Sequence, residues 1–197
     1  MVSRMINRIG MTLAFLLITV VMFAAPADST SSFRTSGDLD GDGKAEEYVL
    51  ENHVLSVNEG SQMLWKTPES WHVDGFSLGD ADNDGKANLV FSLWKTGSFG
   101  KSKPFWHDGE DVSYKNHLFV YKLESDGFKP VWSSSDLYRP ILSFDINDSN
   151  GDGRNELVVR EGQYKKVAGD RYTTDPGAEP RTTVWQWDEW GFAHIGL

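Results

Sequence analysis

Three short acidic segments share one internal spacing, and this repetition limits the possible folds of the chain more than any other feature. They begin at Asp38, Asp80 and Asp148. Each segment places oxygen-bearing side chains at positions 1, 3, 5 and 9 and a glycine at position 6. A short loop of this kind can surround a hard cation with oxygen ligands, and glycine allows the positive φ that such a reversal requires.

The spacing predicts up to three calcium sites. Position 7 would contribute its backbone carbonyl in each loop, so its side chain can point to solvent. Asp, Asn and Gly also cluster in ordinary turns, but three copies with one spacing favour metal binding. The predicted ligands are Asp38, Asp40, Asp42, Lys44 and Glu46 in loop 1; Asp80, Asp82, Asp84, Lys86 and Asn88 in loop 2; and Asp148, Asn150, Asp152, Arg154 and Glu156 in loop 3.

The residues after each loop indicate strands rather than helices. An EF-hand requires a bidentate Glu at position 12 and a helix on each side, whereas position 12 here is Val49, Phe91 or Val159. The segments around these positions are rich in β-branched and aromatic residues, which is typical of strands. The repeated motif is therefore predicted to be strand, calcium loop, strand.

This arrangement resembles the FG-GAP or VCBS repeats of integrin-α-like β-propellers, whose Asp-x-Asp-x-Asp-Gly loop joins the first two strands of a blade. The resemblance covers the three loops and their flanking strands, while the Phe-Gly and Gly-Ala-Pro signatures that name the family are missing. It implies a calcium-stabilised extracellular scaffold for recognition, and it implies no reaction.

A second repeated element supports a β-sheet fold. Each calcium motif is followed by a predicted hairpin closed near a glycine, at Gly60, Gly127 and Gly191. We therefore predict an all-β, propeller-like fold of three tandem four-stranded blades, with the calcium loops between strands 1 and 2 of each blade. The predicted blades cover about 32–66, 71–133 and 139–196.

Propellers typically have about four to eight blades, so three blades leave the assembly open. The alternatives are a closed three-bladed ring, an open array, or blades completed by another copy of the chain in a homo-oligomer. We expect a compact three-sheet domain, and the open array is the least favoured alternative because exposed sheet faces and edges promote aggregation. Trp65, Trp132, Trp185 and Trp187 fall on predicted strands, where packing between blades is the better expectation for such large side chains.

Residues 1–27 have the pattern of a signal peptide, with Arg4 and Arg8 before an apolar run and Ala25-Pro26-Ala27 before the expected cleavage site. The apolar run is short for a membrane span, so we expect no stable span after cleavage, although retention as an anchor is the alternative. Residues 28–197 would form a single secreted or cell-surface domain.

The whole chain has a net charge of −10 and no cysteine. Without the leader it has 17 basic and 29 acidic residues, a net charge of −12, which argues against nucleic acid as a partner. The absence of cysteine excludes disulfides, so calcium would be the stabilising cross-link.

The insert that follows the second calcium motif is the predicted ligand-binding segment. Its residues combine positive charge with aromatic surface, which suits an extracellular polysaccharide or protein. The alternative is that its aromatic side chains fold back onto the sheet. The candidate residues are Lys95, Lys101, Lys103, Phe105, Trp106 and His107. Residues 164–181 are expected to be only a surface loop.

Catalysis has little support in the sequence. The chain has no His-Glu-x-x-His zinc motif, no Gly-x-Ser-x-Gly elbow and no cysteine nucleophile. The first hypothesis is therefore a non-catalytic, calcium-dependent binding or adhesion module at the cell envelope. The alternatives are a hydrolase that acts on envelope polymer and a structural subunit of an exported assembly.

Overall fold

The computed structural model describes residues 32–99 and 108–196, and within these ranges the chain forms fourteen β-strands and no helix. The prediction of an all-β fold is confirmed. The strands form three sheets of four, six and four strands. The predicted leader and residues 100–107 of the insert lie outside the described residues.

Sheet 1 is an antiparallel meander in which each strand pairs with the next along the chain. Asn52 and His53 connect its second and third strands, and both have positive φ, of 51° and 63°, as in the type I′ turns that suit two-residue hairpins. The strands are β1 (Phe33–Gly37), β2 (Glu46–Glu51), β3 (Val54–Glu59) and β4 (Gln62–Lys66).

Sheet 2 lies in the middle of the molecule and contains a second antiparallel meander. Its strands are β5 (His72–Gly79), β6 (Asn88–Thr96), β7 (Tyr114–Glu124) and β8 (Gly127–Ser133). Every residue of β6 except the last is buried, because its alternate side chains enter two different cores. Leu89, Phe91 and Leu93 belong to the core shared with sheet 1, and Val90 belongs to the core shared with sheet 3.

Sheet 3 repeats the meander, with one insertion between its second and third strands. Its strands are β9 (Ile141–Asn147), β10 (Glu156–Glu161), β13 (Arg181–Asp188) and β14 (Gly191–Gly196). The strands β11 (Tyr164–Ala168) and β12 (Arg171–Thr174) leave this sheet as a hairpin and join sheet 2, where Arg171 pairs in parallel with Tyr114.

The expectation of a mere surface loop is wrong for residues 164–174, because they form this hairpin and contact both β7 and the segment between β8 and β9. The Tyr164 hydroxyl donates to the Leu137 carbonyl and accepts from the Asn116 amide, at 3.1 and 3.2 Å. The Arg171 guanidinium lies 4.0 Å from the centre of the Tyr114 ring. These contacts fix the hairpin against β7.

The same close approach occurs at both junctions between sheets, where the first strand of each sheet ends. A Cβ atom on Gly37 would lie 3.1 Å from Leu78, and a Cβ atom on Gly79 would lie 3.1 Å from Ile146. Glycine at these positions lets β1 approach β5 and lets β5 approach β9. The acidic loops that follow these strands are consequently neighbours at one end of the three sheets.

A tryptophan on the fourth strand provides the second contact at each junction. Trp65 of sheet 1 packs on Phe128 of sheet 2 with ring centroids 5.2 Å apart. Trp132 of sheet 2 packs on Phe192 of sheet 3 at 5.5 Å. The expectation that these tryptophans pack between neighbouring units is confirmed.

Candidate metal centre

The three acidic loops have one backbone conformation. At position 6, Gly43, Gly85 and Gly153 have φ values of 88°, 87° and 85°. At position 4, Gly41, Asn83 and Gly151 have φ values of 77°, 59° and 80°. A side chain other than Asn or Asp would be strained at these angles, so the repeated glycines reflect a repeated turn.

The same hydrogen bonds organise each loop. The carboxylate at position 1 accepts the position 6 amide, at 3.0 Å in loop 1 and 2.9 Å in loops 2 and 3. The carboxylate at position 5 accepts the position 7 amide, at 2.8, 3.0 and 2.8 Å. The side-chain oxygen at position 9 accepts the position 2 amide, at 3.0, 2.8 and 2.9 Å. These bonds hold the side-chain oxygens at positions 1, 5 and 9 in the same arrangement in each loop.

Loop 1 has the strongest concentration of negative charge. One oxygen from each of Asp38, Asp40, Asp42 and Glu46 lies within 4.8 Å of the others. Glu46 is fully buried; its Oε2 accepts from the Leu39 amide and, at 3.1 Å, from the Tyr48 hydroxyl, whereas its Oε1 has no hydrogen-bond partner. A buried carboxylate oxygen without a partner is costly, and a bound cation would remove that cost.

The environment of Tyr48 reflects the same charge. Burial raises the pKa of this phenol, and the carboxylate of Glu46 raises it further. The phenol therefore stays protonated and donates to Glu46 at all ordinary pH values. This hydrogen bond fixes Oε2, so that Oε1 is the atom of Glu46 left for an ion.

Loop 2 already contains a positive group from a neighbouring strand. One oxygen from each of Asp80, Asp82 and Asp84 lies within 4.8 Å of the others. The Lys122 ammonium of β7 lies 2.9 Å from Asp82 Oδ2 and also bonds to Asp84. Burial alone would lower the pKa of Lys122, but these hydrogen bonds raise it above its usual value. An ion in loop 2 would share these carboxylates with the ammonium.

Asp82 also offers an unused oxygen to an ion in loop 2. Its side chain is 7% exposed, and its Oδ1 is buried without a hydrogen-bond partner. The oxygen donors of loop 2 thus fit a cation, as those of loop 1 do.

Loop 3 satisfies its buried carboxylate without an ion. Glu156 accepts from the amide and hydroxyl of Ser149, at 2.9 and 2.7 Å. It also accepts from the side-chain amides of Asn150 and Gln186, at 3.2 and 3.0 Å. The Asn150 amide lies 3.1 Å from Asp152 Oδ2 as well, so an amide group stands where an ion would stand in loop 1.

Loops 2 and 3 are joined directly. Asn83 donates to the Asn155 carbonyl at 3.0 Å and accepts the Asn155 amide at 2.6 Å. The Asn155 side chain donates to the Asp80 carbonyl at 2.9 Å. At the junction of loops 1 and 2 the corresponding residues are Gly41 and Ala87, so this cross-link is specific to one junction.

Of the predicted ligand-binding residues, only Lys95 lies within the described chain. It is 9% exposed, and its ammonium donates to the carbonyls of Thr96 and Gly97. At the base of the insert, the Asp111 carboxylate accepts the amides of Ser98 and Phe99, each at 2.7 Å. Lys101, Lys103, Phe105, Trp106 and His107 lie outside the described residues, so ligand binding by this insert stays a prediction.

A second group of polar residues lies at the end of the sheets opposite the acidic loops. His53, His72 and Asp74 each offer a metal-ligating atom, and these atoms lie within 4.8 Å of one another. Burial lowers the pKa of His72, an effect to which His53 adds, and burial raises the pKa of Asp74 despite a hydrogen bond from Trp94. Sequence motifs miss this group because it combines the turn between β2 and β3 with the start of β5.

His72 and Asp74 also line a cleft of about 480 Å³. Within sheet 2, the cleft lies between strands β5–β7 and the β11–β12 hairpin, and Trp94, Tyr114 and Arg171 form part of its wall. The insert between β6 and β7 begins at the same end of sheet 2, since Thr96 pairs with Tyr114. This end therefore combines aromatic, cationic and hydrogen-bonding side chains.

Comparison of the chain with family models, with curated proteins and with solved structures returns no match. The function must therefore be argued from the geometry of this protein. Within residues 32–99 and 108–196, no helix is long and apolar enough to cross a membrane.

Proposed function

We propose that this protein is a secreted or cell-surface, calcium-stabilised binding module that acts on a polysaccharide or protein at the cell envelope. The observation that carries the proposal is the fully buried Glu46, whose Oε1 has no partner and which lies among three aspartates of loop 1. An all-oxygen donor set of this kind suits calcium. The leader and the binding partner are inferred from the sequence.

The loops would differ in their affinity for calcium. Loop 1 offers four carboxylates and an unpartnered oxygen. Loop 2 offers three carboxylates, two of which bind the Lys122 ammonium, and loop 3 satisfies Glu156 internally. We therefore expect loop 1 to bind calcium most tightly and loop 3 most weakly.

Calcium titration calorimetry on the purified, EDTA-treated protein tests this proposal. The expected result is a tight site that Glu46→Gln weakens, together with a higher melting temperature in calcium than in EDTA. An unchanged melting temperature and no heat of binding would refute calcium stabilisation.

For the fold, we propose FG-GAP-like blades in an open array of three, with both ends closed to further packing. In sheets 1 and 2 the glycine at the end of the first strand, Gly37 or Gly79, lies against the next sheet. Asn147 occupies this position in sheet 3. The apolar residue that fills this contact, Leu78 or Ile146, is replaced in sheet 1 by the exposed Ser36. A polar residue at each outer position disfavours continuation into another unit.

The tryptophan contact supports the same arrangement. Trp65 and Trp132 lie opposite Val57 and Val120 in their hairpins, whereas Gly196 lies opposite Val184 in sheet 3. Sheet 3 thus has no tryptophan to place on a following unit. Light scattering in calcium should give a monomer, and a stable oligomer would favour blades completed by another copy or a subunit of an exported assembly.

We place recognition at the end opposite the loops, where the cleft lies and the insert begins. Glycan-array binding of the purified protein, in calcium and in EDTA, tests the polysaccharide class directly. Pull-down from the native secretome tests the protein class. Turnover of envelope polymer by the purified protein would instead support the hydrolase alternative.

A further inference from the structure

We propose that His53, His72 and Asp74 form a binding site for one divalent first-row transition-metal ion, separate from the acidic loops. The three residues come from two sheets, with His53 in the turn after β2 and the other two at the start of β5. One ligand atom from each lies within 4.8 Å of the others. A single ion bound by all three residues would cross-link the two sheets.

His53 presents one defined nitrogen to the site. Its Nδ1 lies 3.0 Å from the Val73 carbonyl oxygen, and since a carbonyl only accepts, the proton is on Nδ1 and the lone pair is on Nε2. Metal-binding histidines are usually oriented by such a hydrogen bond from the other ring nitrogen. The type I′ turn holds His53 at a φ of 63° and so fixes its backbone at the junction.

Asp74 is oriented in the same way. Its Oδ2 accepts the Trp94 indole N–H at 2.6 Å, which leaves Oδ1 facing His72. His72 Nε2 lies 3.6 Å from this Oδ1, too far for a good hydrogen bond. Two ligands of a tetrahedral zinc ion, each bonded at about 2.1 Å, are separated by about 3.4 Å. The observed separation is close to that value.

The two imidazole rings are stacked, with centroids 3.4 Å apart and planes 17° from parallel. A metal ion bonds a histidine in the plane of its ring, so the His72 ring must turn about its Cβ–Cγ bond when the ion binds, while the hydrogen bond to Val73 holds the His53 ring. Two imidazoles and one carboxylate suit zinc, copper or nickel better than calcium, which prefers oxygen ligands. The site is also accessible, because His72 and Asp74 line the open cleft.

The acidic loops lie too far from the histidine site to bind the same ion. Over the seven residue steps of β5 from His72 to Gly79, a strand spans about 23 Å. Loop 2 begins directly after Gly79, and the other loops lie at that end too. Calcium can therefore be used to fill the oxygen sites while the histidine site is titrated.

Zinc titration calorimetry on the purified protein in saturating calcium tests the proposal. We expect one zinc ion per chain. His53→Asn should weaken binding at least tenfold, because Asn tolerates positive φ but removes the imidazole. His72→Gln should have the same effect. His194→Gln is the matched control, since His194 stacks on Trp185 at 4.9 Å in sheet 3, and it should leave zinc binding unchanged.

Histidine NMR of the wild-type protein provides a measurement that needs no variant. Zinc in calcium-containing buffer should shift the ring resonances of His53 and His72 and leave those of His194 in place. Absence of zinc binding in calcium, binding that His53→Asn does not weaken, or equal shifts of His194 would each overturn the proposal.

Discussion

Replacing the position 9 glutamate in two loops should give opposite results in the absence of calcium. Glu46 in loop 1 and Glu156 in loop 3 are both buried and both accept the position 2 amide. Glu46 Oε1 has no donor, whereas Glu156 has four donors. Glu46→Gln should therefore stabilise the calcium-free protein, and Glu156→Gln should destabilise it.

The magnitudes follow from the hydrogen bonds. An unsatisfied buried polar group costs about 1–3 kcal/mol, and a charged one costs more. Glu46→Gln removes that charge and lets a side-chain amide face the aspartates of loop 1, so we expect about 1–3 kcal/mol of stabilisation in EDTA. Glu156→Gln replaces an accepting oxygen by an N–H donor that faces the donors Asn150 and Gln186, and the loss of hydrogen bonds to a charged group should cost about 2–4 kcal/mol.

Calcium should reverse the result for loop 1. At a free concentration one hundred times Kd, calcium stabilises the wild-type protein by about 2.7 kcal/mol. If Glu46→Gln weakens affinity about a hundredfold, the same concentration contributes only about 0.4 kcal/mol. The variant would then lose about 2.3 kcal/mol of calcium stabilisation, which cancels most or all of its gain of about 1–3 kcal/mol in EDTA.

Urea unfolding of the wild-type protein and of both variants, with and without calcium, measures these free energies of unfolding. For a domain of this size, about 1 kcal/mol also corresponds to about 2–4 °C in melting temperature, so thermal melts provide a second measure. If Glu46→Gln and Glu156→Gln destabilise the calcium-free protein equally, the inference from the unpartnered Oε1 is wrong.

Three further predictions concern the sheets. A methyl group at Gly79 would lie 3.1 Å from Ile146, so urea unfolding should show that Gly79→Ala costs about 1–3 kcal/mol, while Gly75→Ala, which meets nothing within 4 Å, should be nearly neutral. Lys122→Met frees Asp82 and Asp84 from the ammonium, so calorimetry should show tighter calcium binding by loop 2, and equal or weaker binding would contradict competition. Burial lowers the pKa of His117 to about 4. The stability that this neutral histidine contributes is therefore complete above pH 6.5 and is lost as the pH falls toward 4, a loss of about 3 kcal/mol. Urea unfolding at pH 7 and pH 4 should show this loss, and the loss should be smaller in His117→Gln.

The repeat spacing carried most of the predictable information. The residue types after each loop favour strands, and the glycine at position 6 favours one turn conformation. Both effects are local, and the structure shows an all-β fold with loops of one backbone geometry. The packing of Trp65 and Trp132 between sheets could also be expected, because large apolar side chains recur on the corresponding strands.

Contacts between distant segments could not be predicted in this way. The β11–β12 hairpin contains no calcium motif and joins a sheet from another unit through Arg171 and Tyr114. The ammonium of Lys122 enters loop 2 from 38 residues away, and no local pattern around Lys122 indicates this. His53 and His72 likewise become neighbours only when sheets 1 and 2 pack together.

The distance between the two ends of the sheets determines what a calcium-dependent activity would mean. The acidic loops lie at one end, and the cleft and the base of the insert lie at the other, about 23 Å away along β5. Calcium in loop 2 could then influence a ligand in the cleft only through the order of β5, β6 and β7, since each of these strands runs from the loop to the cleft. If chelation abolishes ligand binding only under conditions that also unfold sheet 2, calcium acts on the scaffold. If chelation abolishes binding while the fold persists, the ligand must contact the loops themselves, and recognition lies at the acidic end.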